Sequence, residues 1–256
     1  MSPMVTLRHA RPATLPLLCG ALVLLVAGGH AAAPRHETES SGMQDMLQAI
    51  RSDARMTASY TGRARLSEAV LAAMEKVQRE NFVPEAAQRY AYQNTPLQIG
   101  HGQTISQPFI VALMTDLLEP EAGDRMLEIG TGSGYQAAIL AELVESVYTV
   151  EIIPELAETA AARLESLGYD NVQVRTGDGW HGWPEAAPFD GIIVTAVDEE
   201  VPPRLLEQLA VDGRLVLPLG PRFGGQMLTV LTREEDGGFR REDVLPVQFV
   251  PLTGDH

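Results

Sequence analysis

Leu127-Glu128-Ile129-Gly130-Thr131-Gly132-Ser133-Gly134-Tyr135 runs from a strand-like apolar stretch through three alternating glycines into the start of a helical pattern. Glycine permits the tight turn and lets the backbone come close to a ligand. Outward from this turn, strand-like runs alternate with helices. They are Arg125–Ile129, helix Tyr135–Val144, Val147–Glu151, helix Pro154–Leu167, Val172–Thr176, Asp190–Thr195, helix Pro202–Leu209 and Arg214–Leu219. Such alternation predicts βαβ units, hence an α/β fold: a Rossmann-like, doubly wound, mostly parallel sheet with helices on both faces. Two later runs, Met227–Thr232 and Val244–Val250, flank a polar turn at Glu234–Gly238 and read as an antiparallel pair at the sheet edge.

In an open parallel sheet, cofactors sit in the crevice at the carboxyl ends of the strands. Glu151 ends the strand after the glycine turn, about 20 residues on, where a carboxylate accepts from ribose hydroxyls. A dinucleotide wants its third glycine three residues after the second; that position is Tyr135, and the third glycine comes early, at Gly134. Glu128 sits badly beside a pyrophosphate and well beside a sulfonium and an ammonium. S-adenosylmethionine therefore suits the site better. Gly177-Asp178-Gly179, after a third strand, fits a turn that brings a carboxylate to the adenine amino group. Alone, Glu151 is an ordinary strand-end carboxylate and Asp178 an ordinary Asp-Gly turn. Glu128, Gly130, Thr131, Gly132, Ser133, Gly134, Glu151, Asp178 and Gly179 together make the expected cofactor set.

The composition sets outer limits. The chain has 256 residues, 45% hydrophobic, enough for a sizeable core. Its net charge of −15 repels phosphate and argues against a nucleic-acid partner. Cys19 is the one cysteine, which excludes an intrachain disulfide, a cysteine-based zinc site and a catalytic thiol in the body. His101 and His181 stand apart and lack metal-ligand spacing, so no metal is expected.

The first 33 residues differ from the rest. Arg8, His9 and Arg11 precede an apolar run, Leu15–Ala27, and then the small residues of Gly28–Ala33. This is the order of a secretory signal, and the run is short for a permanent anchor. The competing reading is a start at Met43 or Met46, with the leading stretch not translated. Residues 34–65 read as a polar, disordered linker over Pro34–Gly42 followed by an extra helix over Met43–Met56. Residues 66–256 read as one domain: 66–120 a substrate-side or lid portion, 121–233 the cofactor-binding core, and 234–256 the C-terminal edge strand. Within the lid portion, Leu66–Val77 is expected to be helical, capped by Ser67 or Thr61. Phe82–Pro108 is expected to be an ordered loop and Phe109–Leu118 a short apolar helix.

The stretch Ala91–Pro108, with its Thr104-Ile105-Ser106-Gln107-Pro108 segment, resembles the signature of the protein-L-isoaspartate O-methyltransferases. So do Glu128–Ala137, Gly177-Asp178-Gly179 with Gly182-Trp183, Ala187–Asp190, Val194-Thr195-Ala196 and Phe249-Val250-Pro251-Leu252. The resemblance runs from about Phe82 to Gly254, and the Thr104–Pro108 segment is particular to this family. Val197 departs from it, since a second alanine is common there.

The resemblance implies a class I S-adenosylmethionine-dependent methyltransferase. It would esterify the free α-carboxyl of L-isoaspartyl residues in damaged proteins and peptides. It makes Ser106 the active-site serine, with Thr104, Gln107, Val194, Thr195 and Ala196 about the substrate carboxylate. A carboxylate is already ionised at neutral pH, so no general base is needed, and Ser106 reads as a positioning donor. The acyl-enzyme alternative lacks its G-x-S-x-G elbow at Ser106, and Ser133 belongs to the cofactor turn. The alternatives are a methyltransferase for a small-molecule acceptor and a non-catalytic relative. A monomer without membrane insertion of the mature body is expected. Donor supply puts the enzyme in the cytoplasm; the signal-like segment offers export as the alternative.

Overall fold

A computed structural model describes residues 35–254. The signal-like segment 1–33 and Cys19 lie outside the described residues. Strands β3 (Arg125–Ile129), β4 (Ser146–Glu151), β5 (Val172–Thr176), β6 (Phe189–Val194), β7 (Leu209–Leu219), β8 (Gln226–Arg233) and β9 (Phe239–Val247) form one sheet, ordered β5-β4-β3-β6-β7-β8-β9. The first five run parallel, while β8 and β9 return antiparallel. The order reverses on either side of β3, so β3, β4 and β6 end together at one crevice.

Both faces of the inner strands are covered, as their unbroken apolar runs require. Met126, Ile193 and Val216 face one core. Helices α1 (Arg35–Thr61), α2 (Glu68–Lys76), α3 (Pro108–Leu118) and α4 (Tyr135–Ala141) close that core. Leu127, Ile129, Ile192, Val194, Leu215 and Leu217 face the other core, which Leu205 of α6 (Pro203–Gln208) covers. α5 (Pro154–Ser166) lies between β4 and β5 in the chain and buries Leu156, Ala157, Ala160 and Leu164.

The fold class is the expected one, with local differences. Residues 35–42, expected to be disordered, are helical. Met43, Met46, Leu47, Ile50 and Ala54 bury one face of α1. From that packed nucleus the helix extends readily through residues that hold no proline to stop it. At its far end Gly62, at φ +65°, ends it. Ser67 caps α2 by accepting from the Val70 N–H; Thr61 instead belongs to the last turn of α1.

The expected loop 82–108 contains a hairpin of β1 (Leu97–Gly100) and β2 (Gln103–Ile105), turned at His101 and Gly102. Strands this short leave little periodicity against glycine and glutamine. β9 begins earlier than expected because the turn at 234–238 is tight, pairing Arg233 with Phe239 at once. Its first five residues are exposed, so no apolar signal marks them.

Candidate active site

The glycine turn sits where β3 ends. Gly130, at φ +95°, has no room for a side chain: a Cβ there would lie 2.3 Å from Thr195 Oγ1. Thr195, just past β6, donates that hydroxyl to the Gly130 carbonyl at 2.8 Å. Its N–H reaches the Ile129 carbonyl at 2.9 Å. The ends of β3 and β6 are therefore stitched together. Across the crevice, Glu151 accepts from the Gly132 N–H at 2.8 Å and the Ile153 N–H at 3.0 Å. The carboxylate holds the turn from one side and satisfies two backbone donors, one in the glycine turn and one at the N-cap of α5.

Glu128 lies beneath this turn, fully buried, on β3 opposite Thr149. Thr149 Oγ1 donates to its Oε2 at 2.6 Å and stands 2.6 Å from Thr131 Oγ1. Oε1 has no partner among the described residues. Burial pushes the carboxyl up to about 8; the Thr149 bond opposes this and the nearby Glu151 charge adds to it.

Two adjoining cavities open over the strand ends. One is lined by Gly130, Gly132, Glu151, Gly179, Thr195 and Ala196, with Gln103 and Thr104 of the hairpin above. The other, of about 460 Å³, is lined by Thr104, Ser106, Gln107, Ile110, Thr195 and Gln226 among others. Thr104, Thr195 and Val250 belong to both. The C-terminal tail supplies the remaining wall. Val197 N–H donates to the Val250 carbonyl and Leu252 N–H to the Val197 carbonyl, each at 2.8 Å.

The expected site residues divide accordingly. Gly130, Gly132, Glu151 and Gly179 line the first cavity; Ser106 and Gln107 line the second; Thr104 and Thr195 line both. Thr131, Ser133 and Gly134 build the turn behind the cavities, where Arg163 holds the Ser133 carbonyl at 2.7 Å. Val194 is buried within the sheet and reaches neither cavity, because alternation along β6 turns it into the core with Ile192. Asp178 caps the next turn through the Trp180 N–H at 2.9 Å and lies against Gly254 of the tail. Trp183 packs at 5.3 Å on Tyr148 and 4.2 Å from the Arg175 guanidinium, as a core residue would. Among the described residues, no group of three His, Cys, Asp or Glu could hold a metal ion.

Three contributors escaped the sequence reading. Asp53 of α1 accepts from Asn94 Nδ2 at 2.7 Å and Gln107 Nε2 at 3.4 Å, tying the extra helix to the loop that carries Ser106. Asn94 in turn accepts from the Phe109 N–H at the start of α3. Gln226 opens β8 from a buried position and bonds the tail at Phe249. None stands in a local pattern; only Asn94 lay inside the stretch that carried the resemblance.

The family model for protein-L-isoaspartate(D-aspartate) O-methyltransferase (PCMT) matches residues 52–256. The chain belongs to this family. It is 53% identical over 235 residues to Protein-L-isoaspartate O-methyltransferase 2 of Syntrophobacter fumaroxidans, spanning 92% of this chain and 95% of that one. It is 46% identical to Protein-L-isoaspartate O-methyltransferase 1 of Cupriavidus necator, across 100% of this chain and 97% of its relative. A solved protein-L-isoaspartate O-methyltransferase superposes with a TM-score of 0.72 at 27% identity, covering 83% of this chain and 66% of that one. A Plasmodium falciparum protein crystallised with S-adenosyl-L-homocysteine has the same fold, with a TM-score of 0.68 at 24% identity over 84% of this chain and 98% of that one.

Proposed function

We propose that this enzyme methylates the free α-carboxyl of L-isoaspartyl residues in damaged proteins and peptides, taking the methyl group from S-adenosylmethionine. One observation carries the reading: two cavities, one beside the glycine turn and one beside Ser106, meet at Thr104, Thr195 and Val250. The donor supplies a methyl on a sulfonium, a group ready to leave. The first cavity, about 60 Å³, must widen to take it, but its lining suits it, because Glu151 offers acceptors for ribose hydroxyls and Gly130 and Gly179 leave the backbone bare where a Cβ would collide. The spare acceptor of Glu128 suits a cation, and a positive charge nearby would draw off the proton that burial now favours.

The second cavity takes the acceptor. Its carboxylate, with a reference value of about 4, needs no base. Ser106, Thr104 and Gln107 offer neutral donors that orient the oxygens without quenching their charge. Ala196, two residues past β6, lines the donor side. The hairpin and the tail exclude water, which would otherwise screen every one of these contacts.

Residues 66–120 then form the acceptor-side portion, 121–233 the donor-binding core and 234–256 the closing edge. The acidic surface favours no nucleic acid, and the enzyme works as a monomer in the cytoplasm, where its donor is made. No helix among the described residues is long and apolar enough to cross a membrane.

The purified protein, labelled donor and two peptides differing only in an aspartyl or L-isoaspartyl residue test the reading. Base-labile label is expected in the isoaspartyl peptide alone, and Ser106→Ala is expected to lower kcat/KM by about ten- to a hundredfold, the loss of one oriented donor. A protein that binds donor yet labels neither peptide overturns the assignment.

A further inference from the structure

Val250 is shared by both cavities, yet it belongs to a tail beyond the last strand. Two sets of bonds fix it there, one on each side. Gln226, 1% exposed, accepts from the Phe249 N–H with Oε1 at 2.5 Å and donates from Nε2 to the Phe249 carbonyl at 3.3 Å. Nε2 also reaches the Arg222 carbonyl at 3.4 Å. Both polar groups of one tail residue are therefore held by one side-chain amide, just before the chain reaches Val250. On the far side of Val250, Val197 holds the Val250 carbonyl and the Leu252 N–H. The backbone at Gln226 is itself confined, since a Cβ on Gly220 would lie 3.0 Å from its Cα.

We propose that Gln226 is a positioning residue for methyl transfer: its amide fixes Phe249 and so sets Val250 as the wall common to both cavities. The role rests on the methyltransferase reading and deepens it. A buried amide that satisfies both backbone groups of a strand-less segment does what a neighbouring strand would do. It does so where β9 has already parted from β8, beyond Val247. A displaced Val250 would loosen donor binding and alignment together, because the same residue borders both.

The test uses the full chain. Gln226→Met keeps the volume and removes both bonds to Phe249 and the one to Arg222. Three readouts follow: amide exchange at Phe249 and Leu252, the Kd for S-adenosylhomocysteine by calorimetry, and kcat and KM on an isoaspartyl peptide. The expected result is exchange and Kd each raised about tenfold, with kcat falling more than KM rises. Gln226→Glu refines it. A protonated carboxyl can accept from Phe249 N–H and donate to its carbonyl; an ionised one can only accept. Because Glu128 titrates in the same range, each pH is compared with wild type: relative to it, tail protection and donor affinity of Gln226→Glu should recover as pH falls from 8 to 5.

A folded Gln226→Met with wild-type exchange, Kd and kcat overturns the proposal. If that variant fails to fold, wild-type behaviour of Gln226→Glu at pH 8 overturns it instead. Wild-type protein that binds S-adenosylhomocysteine but leaves the peptide unmethylated refutes the acceptor assignment alone; exchange and Kd still decide the role of Gln226.

Discussion

Replacing Glu128 by glutamine should make the ligand-free protein's stability less dependent on pH. Burial pushes this carboxyl up to about 8 from its ordinary value of 4.5. Between those values the folded state holds a proton that the unfolded state has released, so stability falls as pH rises. One proton corresponds to about 1.4 kcal/mol per pH unit, or about 3 kcal/mol from pH 5 to pH 7.5. The amide of the Glu128→Gln variant would retain an acceptor for Thr149 Oγ1, so the bond now at 2.6 Å survives while the titration disappears. Urea unfolding at several pH values, analysed at constant m, measures the effect. The two proteins should be nearly equal in stability at pH 5, with Glu128→Gln the more stable by about 3 kcal/mol at pH 7.5. Parallel curves would refute the argument, since they would mean that the carboxyl ionises as readily inside as outside.

Asp53→Ala frees Asn94 and Gln107 from α1; the peptide KM should rise about tenfold while S-adenosylhomocysteine affinity, read by calorimetry, stays put. A fall in donor affinity instead would place Asp53 on the wrong side of the site. Gly179→Ala puts a Cβ 2.2 Å from Ile129 Cγ2 and must push Ile129 into the donor cavity that it lines, so donor affinity should drop more than about tenfold. Gly123→Ala, with nothing within 4 Å, is the control and should leave affinity unchanged.

The parallel core was legible because its signals are local and strong. Apolar strands buried on both faces, glycines at the turn and an acid at the next strand end all lie within short windows. The class of fold followed from them. Boundaries failed where tertiary pairing supplied what composition did not. β9 starts among charged residues because a tight turn delivers them to β8. The β1–β2 hairpin forms because it covers the strand ends, not because Leu97–Gly100 is a strong strand former. The family resemblance put Val194 at the acceptor, whereas alternation along the strand turns it into the core. The long-range polar contributors were the least legible: Asp53 lies 54 residues from Gln107, and Gln226 lies 23 residues from Phe249. Neither spacing is a signal in a single sequence.

An enzyme of damaged proteins meets chains that have partly come apart, and loose strands seek any open sheet edge to join. β9 is such an edge. Phe239, Arg240, Arg241, Glu242 and Asp243 are all exposed along it, and Arg241 pairs with Asp243 at 2.9 Å. A client laid against this strand would have to strip water from alternating charges to gain its backbone bonds, and Pro246 withholds one donor near the end. The edge thus discourages the enzyme from nucleating aggregation of its own clients.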